Sequence, residues 1–300
     1  MATARLFGKP IADALNAESR ATVTGAGPGI PPPSLVSVHR GVDSPFRFYL
    51  RRQERAAAAV GLRFRDEALA PGAGPSDLLA RLSELDRDPS VHAVLLEHPL
   101  PAPFDFYRAV GALRPEKDVD GVGTQNLGRL VAQRPIHAPA VARAALAIAR
   151  HYGLPVEGER VVVVGRSETV GLPLSLLLAG KAEGIHATVT VAHSRTKDLR
   201  AALAGSRTIF SCVGHPGLLT RAVVPEGAHV IDVGLSSVPD PAQPGRSIAV
   251  GDADAASLDG WAGSLTPVPG GVGPVTVAEL MASCVRAWQL LTAREATEAR

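Results

Sequence analysis

Cysteine is nearly absent from the chain. Cys212 and Cys284 stand far apart and match no metal-ligand spacing, which leaves two reduced thiols and no disulfide framework. Aromatic residues make up only 4% of the 300 residues while Gly and Pro abound, a balance that suits compact α/β packing and carries no chemistry of its own. Neither sign of charge dominates: 31 basic against 29 acidic residues give a formal +2 with no sustained run, so no nucleic-acid partner is indicated. Apolar stretches are too short to span a membrane. The opening MATARLFGKPIADAL lacks the apolar core and small-residue cleavage site of a secretory signal, and the expectation is a cytoplasmic protein. Repeats and low-complexity segments are missing, and so is the dinucleotide fingerprint GxGxxG.

What is present is organised around residues 161–173, VVVVGRSETVGLP. Four consecutive β-branched residues read as a buried parallel strand. Gly165 ends it, and Gly171 falls in the helix that follows. A glycine turn from strand into helix N-terminus offers free backbone N–H groups and the positive end of the helix dipole, which suits a phosphate. Glycines serving only the turn and close helix packing are the plainer alternative.

Three hundred residues suit one large or two medium domains. Periodicity predicts a helix over 9–23, a strand SLVSVH, a helix from about 46 to 60 closed by Gly61, and a strand within 62–69. A helix opened by Ser76 and the strand VHAVLLEHPLP, which stops at a Pro-rich turn, follow; after PEKDVDGVG a loop region runs to Pro139 and leads to an Ala-rich helix over 141–152. The second half alternates: strand 160–164, helix 172–180, strand 187–193, helix 196–204, and strands 207–214 and 229–234. That is a doubly wound α/β sheet. A glycine-proline loop and a long helix close the chain.

Taken together, these motifs resemble the methylenetetrahydrofolate dehydrogenase/cyclohydrolase family over roughly residues 6–290. They are HPLP at 98–101, PEKDVDGVG at 115–123, GRSETVGLP at 165–173, HSRT at 193–196, VGHPG at 213–217, IDVG at 231–234, GD at 251–252 and TPVPGGVGPVT at 266–276. The resemblance implies an α/β fold with an N-terminal folate or substrate domain (1–140 and 275–300), a Rossmann-like NADP-binding domain (141–274) and a final helix returning to the first domain. It also implies a tetrahydrofolate-derived substrate and a homodimer. Gly165, Arg166, Ser167, Gly171, Ser194, Arg195, Val213, Gly214, Gly234, Gly271 and Thr276 take the cofactor positions. NADP is preferred over NAD because the stretch after the second strand offers His193, Ser194 and Arg195 and no carboxylate for a ribose hydroxyl. Ordinary solvated arginines at 166 and 195, and a hinge role for the 266–276 loop, are the bland alternatives.

The first domain departs from the family pattern. Tyr49 keeps its place, but the lysine expected four residues on is Gln53, and Arg55 stands at a second lysine position. The serine usual three residues before the tyrosine is Phe46, the glutamine before Pro-Leu-Pro is Glu97, and the leucine after it is His98. Asp120, which in the family holds the pterin ring, is retained, as is Asn126; Val122-Gly123-Thr124 and His137-Ala138-Pro139 replace the usual runs. Alternation along a strand sends Glu97 and His98 to opposite faces, Glu97 toward the substrate and His98 to packing or the surface. The catalytic candidates are Tyr49, Gln53, Glu97 and Asp120. Hydride transfer needs alignment and no proton relay, whereas hydrolysis of a methenyl cation needs a group that moves protons, which an amide cannot do. The expectation is an NADP-dependent methylenetetrahydrofolate dehydrogenase with cyclohydrolase activity lost or weak. The alternatives are a same-fold oxidoreductase acting on another cyclic amine, imine or pterin, and a non-catalytic nucleotide-binding homologue.

Overall fold

The computed structural model describes residues 2–41, 44–181, 185–240, 243 and 245–298; the side chains of 44–46, 48 and 295–298 lie outside it. In chain order its elements are β1 (Ala4–Arg5), α1 (Lys9–Thr24), β2 (Ser34–His39), α2 (Ser44–Val60), β3 (Arg63–Ala68), α3 (Pro75–Arg87), β4 (Ala93–Leu96), α4 (Phe106–Val110), α5 (Thr124–Val131) and α6 (Ala140–His151). They continue with β5 (Arg160–Val164), α7 (Gly171–Ala179), β6 (Thr188–Ala192), α8 (Leu199–Leu203), β7 (Thr208–Ser211), β8 (His229–Asp232), β9 (Ser236–Pro239), β10 (Ser247–Val250), α9 (Ala255–Leu258), β11 (Ser264–Leu265) and α10 (Val272–Glu298).

The chain divides into two compact units, 13–140 with 277–300, and 1–12 with 141–276. In the first, three parallel strands run in the order β3-β2-β4. Alternation sorts their side chains to two cores. Leu35, Ala93 and Leu95 pack with Ala57 and Val60 of α2 and with Leu280, Met281, Cys284 and Trp288 of α10. Val36, Val38, Val94 and Leu96 pack on the other face with Leu78, Leu82 and Leu85 of α3 and with Phe106. The closing helix is therefore part of the first core, and the Trp288 indole N–H anchors it by donating to the Pro31 carbonyl at 3.0 Å.

The second unit holds six parallel strands in the order β1-β11-β8-β7-β5-β6. Val161–Val164 are buried, as a central strand covered on both faces requires. The first twelve residues, assigned above to the substrate domain, fall in this unit because β1 pairs with β11 in parallel register, Ala4 opposite Ser264. Among the described residues, no helix is long and apolar enough to cross a membrane.

Several local expectations shift. Helix α3 opens at Pro75, with Gly74 as its cap, its N–H donated to the Asp77 carboxylate at 2.7 Å; Ser76 lies inside the first turn. The stretch expected to be a loop before Pro139 contains α5, whose helical pattern Gly128 interrupts, and the short helix α4 precedes PEKDVDGVG where no element was expected. Strands β9 and β10 form an antiparallel ribbon that the sequence pattern did not announce.

Candidate active site

In the first unit, α2 carries Tyr49 and Gln53 one turn apart, on the face that meets the sheet. Gln53 is fully buried. Beneath it, Ser37 and Glu97 continue the inward rows of β2 and β4. The Gln53 amide nitrogen donates to Glu97 Oε1 at 2.8 Å, and the Ser37 hydroxyl donates to the same oxygen at 2.9 Å. The Glu97 backbone N–H is held by the Val38 carbonyl at 2.9 Å. His98 turns to the other face, its ring edge-on to Phe106 with centroids 4.7 Å apart. His39, also buried, brings Nε2 to 2.6 Å from Asp66 Oδ1 on β3. Phe46 lies among the side chains not described.

These groups shift one another's protonation. Burial pushes the Glu97 carboxyl above its usual range, and the bonds from Gln53 and Ser37 pull it back in part. Burial, then the Glu97 and Asp120 carboxylates, push the Tyr49 phenol up, so its hydroxyl stays protonated at neutral pH. Asp120 is pushed up to about 7, first by burial and then by Asp118. Asp118 and Asn126 staple the loop that positions it: the Asp118 carboxylate accepts from Gly123 N at 2.9 Å and from Asn126 Nδ2 at 2.8 Å. Gly121 permits this loop to lie against residues 137–138, since its φ is +70° and a Cβ there would sit 2.8 Å from the Ala138 carbonyl carbon.

In the second unit, β5 ends at Gly165, whose φ of +122° suits glycine alone. Gly171 starts α7 so close beneath it that a Cβ would lie 2.4 Å from the Gly165 carbonyl oxygen. The turn opens into a cavity of about 450 Å³ lined in part by Gly165, Arg166, Ser167, Ser194, Val213 and His215. Backbone approach at a helix N-terminus, with a guanidinium and hydroxyls alongside, fits a phosphorylated nucleotide. Five of the residues singled out from sequence thus meet here. Arg195 is exposed and outside the lining, its backbone N–H donated to His193 Nδ1 at 3.1 Å. Gly171 acts from beneath the turn; Gly214, Gly234, Gly271 and Thr276 also lie outside the lining. Thr276 donates its hydroxyl to the Val272 carbonyl of its own helix at 3.2 Å.

Sequence reasoning missed the carboxylates that hold this rim. Asp252, fully buried, accepts from the Ser211 hydroxyl at 2.7 Å, Val213 N at 2.9 Å and His215 N at 2.7 Å. Asp232 accepts from Gly234 N at 3.0 Å, Asp252 N at 3.0 Å and Ala253 N at 2.8 Å, and burial pushes it up to about 6. Gly234 must be glycine, because a Cβ would strike the Asp252 carboxylate at 2.2 Å. The signal available was the presence of acids in IDVG and GD directly after strands.

A parallel sheet with a glycine turn and a cavity at the strands' carboxyl ends defines a nucleotide-binding domain of the doubly wound class. Residues 6–120 match the tetrahydrofolate dehydrogenase/cyclohydrolase catalytic domain, and residues 139–292 match the NAD(P)-binding domain of the same family. The chain belongs to the tetrahydrofolate dehydrogenase/cyclohydrolase family. It is 38% identical over 287 residues to the bifunctional protein FolD of Desulfovibrio desulfuricans, covering 95% of this chain and 98% of that one. The structure of a 5,10-methylenetetrahydrofolate dehydrogenase from the silkworm Bombyx mori superposes with a TM-score of 0.89 at 31% identity, covering 97% and 99% of the two chains. The Trypanosoma brucei N5,N10-methylenetetrahydrofolate dehydrogenase-cyclohydrolase, solved with NADP and an inhibitor, gives 0.88 at 31% identity, covering 98% and 99%.

Proposed function

We propose that the protein is an NADP-dependent 5,10-methylenetetrahydrofolate dehydrogenase in which hydrolysis of the methenyl product is lost or severely reduced. The observation that carries this reading is the buried amide of Gln53, bonded to Glu97 at 2.8 Å where the family pattern has a lysine. An amide neither accepts nor releases a proton near neutral pH, so it cannot activate water or protonate a departing ring nitrogen. Hydride transfer does not ask this of it.

Bound NADP would supply the hydride acceptor, and Gly165, Arg166, Ser167 and Ser194 would hold its phosphorylated adenosine end. Arg166 and Ser194 suit a 2′-phosphate through charge-assisted bonds, which supports NADP over NAD. On the substrate side, Asp120 would accept the amino and ring N–H groups of a pterin, a geometry that the Asp118–Asn126 staple maintains. Tyr49, kept protonated by burial and by two neighbouring acids, would pack beside the substrate as a neutral donor. Gly171, Val213, Gly214, Gly234, Gly271 and Thr276 would shape the cofactor side, and the assembly would be a homodimer in the cytoplasm.

Purified protein mixed with NADP and methylenetetrahydrofolate tests the reading, with NADPH formation and methenyl decay followed together. NADPH forming while the methenyl product persists is the expected result. Tight NADP binding without folate turnover would transfer the assignment to another cyclic amine or pterin, and binding of neither ligand would remove the enzyme altogether.

A further inference from the structure

At the amino end of β4, away from Glu97 at its carboxyl end, the first unit holds a cavity of about 160 Å³. The end of α3, the 114–117 segment and α10 enclose it, with Asp86, Arg87, Arg114, Lys117, Leu291 and Arg294 in its lining. Four of these side chains are cationic and one is a carboxylate.

Two of the cations are fixed in place. The Asp86 carboxylate accepts from Arg114 Nε at 3.1 Å and from Nη2 at 3.2 Å, and Nη2 donates also to the Asp86 carbonyl at 3.0 Å. Arg114 Nη1 makes no bond among the described residues. Lys117 is 2% exposed, and its Nζ donates to the carbonyls of Leu85, Asp86 and Asp88 at 3.1, 2.8 and 2.7 Å. An ammonium has three hydrogens, so these bonds use them all, and Lys117 brings charge to the cavity rather than a donor. The negative groups of the neighbourhood, Asp86 and the carbonyl end of α3, are thereby occupied.

The other two cations are exposed. Arg87, in the last turn of α3, makes no ion pair or hydrogen bond among the described residues, and Arg294 reaches the cavity from α10. Cations are favoured at a helix C-terminus, and Lys117 meets that need for α3 with three bonds. Capping α3 does not call for Arg114 Nη1 and Arg294 to share one cavity with Arg87.

We propose that this cavity binds a tetrahedral oxyanion of the phosphate class, as free phosphate or as the phosphoryl group of a small ester. Ligand pockets for ring-bearing molecules run to roughly 300–1,000 Å³, so a cavity of about 160 Å³ suits one phosphoryl group and not a nucleotide. Guanidinium groups match the oxyanion's geometry, and donors already held by Asp86 lose little freedom on binding. Lys117, shielded from water, attracts the anion more strongly than a solvated lysine would. Arg114 and Lys117 also open the run that continues to Asp118 and Asp120, so the bound anion stabilises that segment. The proposal is independent of the dehydrogenase reading.

Titration calorimetry with inorganic phosphate, at an ionic strength held constant with sodium chloride, tests it. The protein carries Arg166→Ala, which removes the guanidinium of the nucleotide cavity as a competing phosphate contact. One saturable site is expected, with a Kd of about 1 mM or tighter. Adding Arg87→Ala and Arg294→Ala should weaken it at least about tenfold. Both side chains are exposed, so the melting temperature in chloride alone should not change; Arg294→Glu by itself serves if the combined variant fails to fold. Glycerol 3-phosphate is the second probe. Tighter binding than phosphate assigns the site to phosphate esters and weaker binding to the free ion, and either must be lost with Arg87 and Arg294. Heats no larger than the chloride control, or phosphate binding unchanged by the arginine substitutions, overturn the proposal. Neither NADP nor a folate is present, so failure here leaves the dehydrogenase reading untouched, and failure of that reading leaves this site standing.

Discussion

The amide nitrogen of Gln53 and Oε1 of Glu97 are joined by a 2.8 Å hydrogen bond, with both side chains withdrawn from solvent. The bond spans α2 and the end of β4, so the residue at 53 and the residue at 97 set each other's chemistry. A lysine at 53 would make the same contact a salt bridge and would bring back a proton carrier.

Gln53→Lys is therefore expected to raise methenyl-folate hydrolysis by about 10²-fold, the lower end of what a positioned acid–base group contributes. Stopped-flow decay of methenyltetrahydrofolate, with and without the variant, measures it. An unchanged rate would mean that position 53 does not limit hydrolysis.

Asp120 gives stability a pH dependence of stated sign. Its folded-state value of about 7 lies above the ordinary carboxyl value, so the folded protein binds the proton more tightly than the unfolded chain. The contribution is complete below about pH 4 and is lost as pH rises through about 7, a change on the order of 4 kcal/mol. Asp120→Asn should flatten this loss, raising the melting temperature near neutral pH and not in acid, while weakening folate binding. Thermal melts at the two pH extremes check it.

Gly171→Ala places a methyl group 2.4 Å from the Gly165 carbonyl oxygen, so the turn must open. The expected cost is about 1–3 kcal/mol of stability, as for other overpacked sites, with a parallel loss of nucleotide affinity. Melting curves and NADP titration on one preparation would show whether the two losses travel together.

Arg166 and Arg195 should part company. Arg166 lines the cavity beside Gly165 and Arg195 does not. Arg166→Ala should weaken NADP by about tenfold or more and leave NAD nearly unchanged, whereas Arg195→Ala should have the smaller effect. Fluorescence titration with both nucleotides decides between them, and equal losses for NADP and NAD would remove the 2′-phosphate role.

Much of this molecule is written in local pattern. Val161–Val164 and Gly165 announce a buried strand and its turn, and Tyr49 and Gln53 announce one face of a helix, because period and punctuation are local signals. Partners across the sheet are not. Nothing near Ser37 names Glu97, sixty residues on, as the acceptor of its hydroxyl. Asp252 likewise reaches back to Val213 and His215, and a bare Gly-Asp pair after a strand does not disclose three donors. Two-residue strands such as β1 and β11 carry no periodicity at all; only the finished sheet defines them. Helix α5 hides for another reason, since Gly128 at its centre breaks the helical signal that Leu130 and Asn126 keep on its buried side.

The central claim, that an amide at position 53 leaves dehydrogenation without hydrolysis, has one direct test. Methenyltetrahydrofolate is added to protein whose NADP-dependent activity has been verified in the same preparation, and its decay is compared with buffer alone. The account predicts decay at the buffer rate while NADPH is still produced from methylenetetrahydrofolate. Hydrolysis well above the buffer rate, with the same protein forming NADPH, would contradict it.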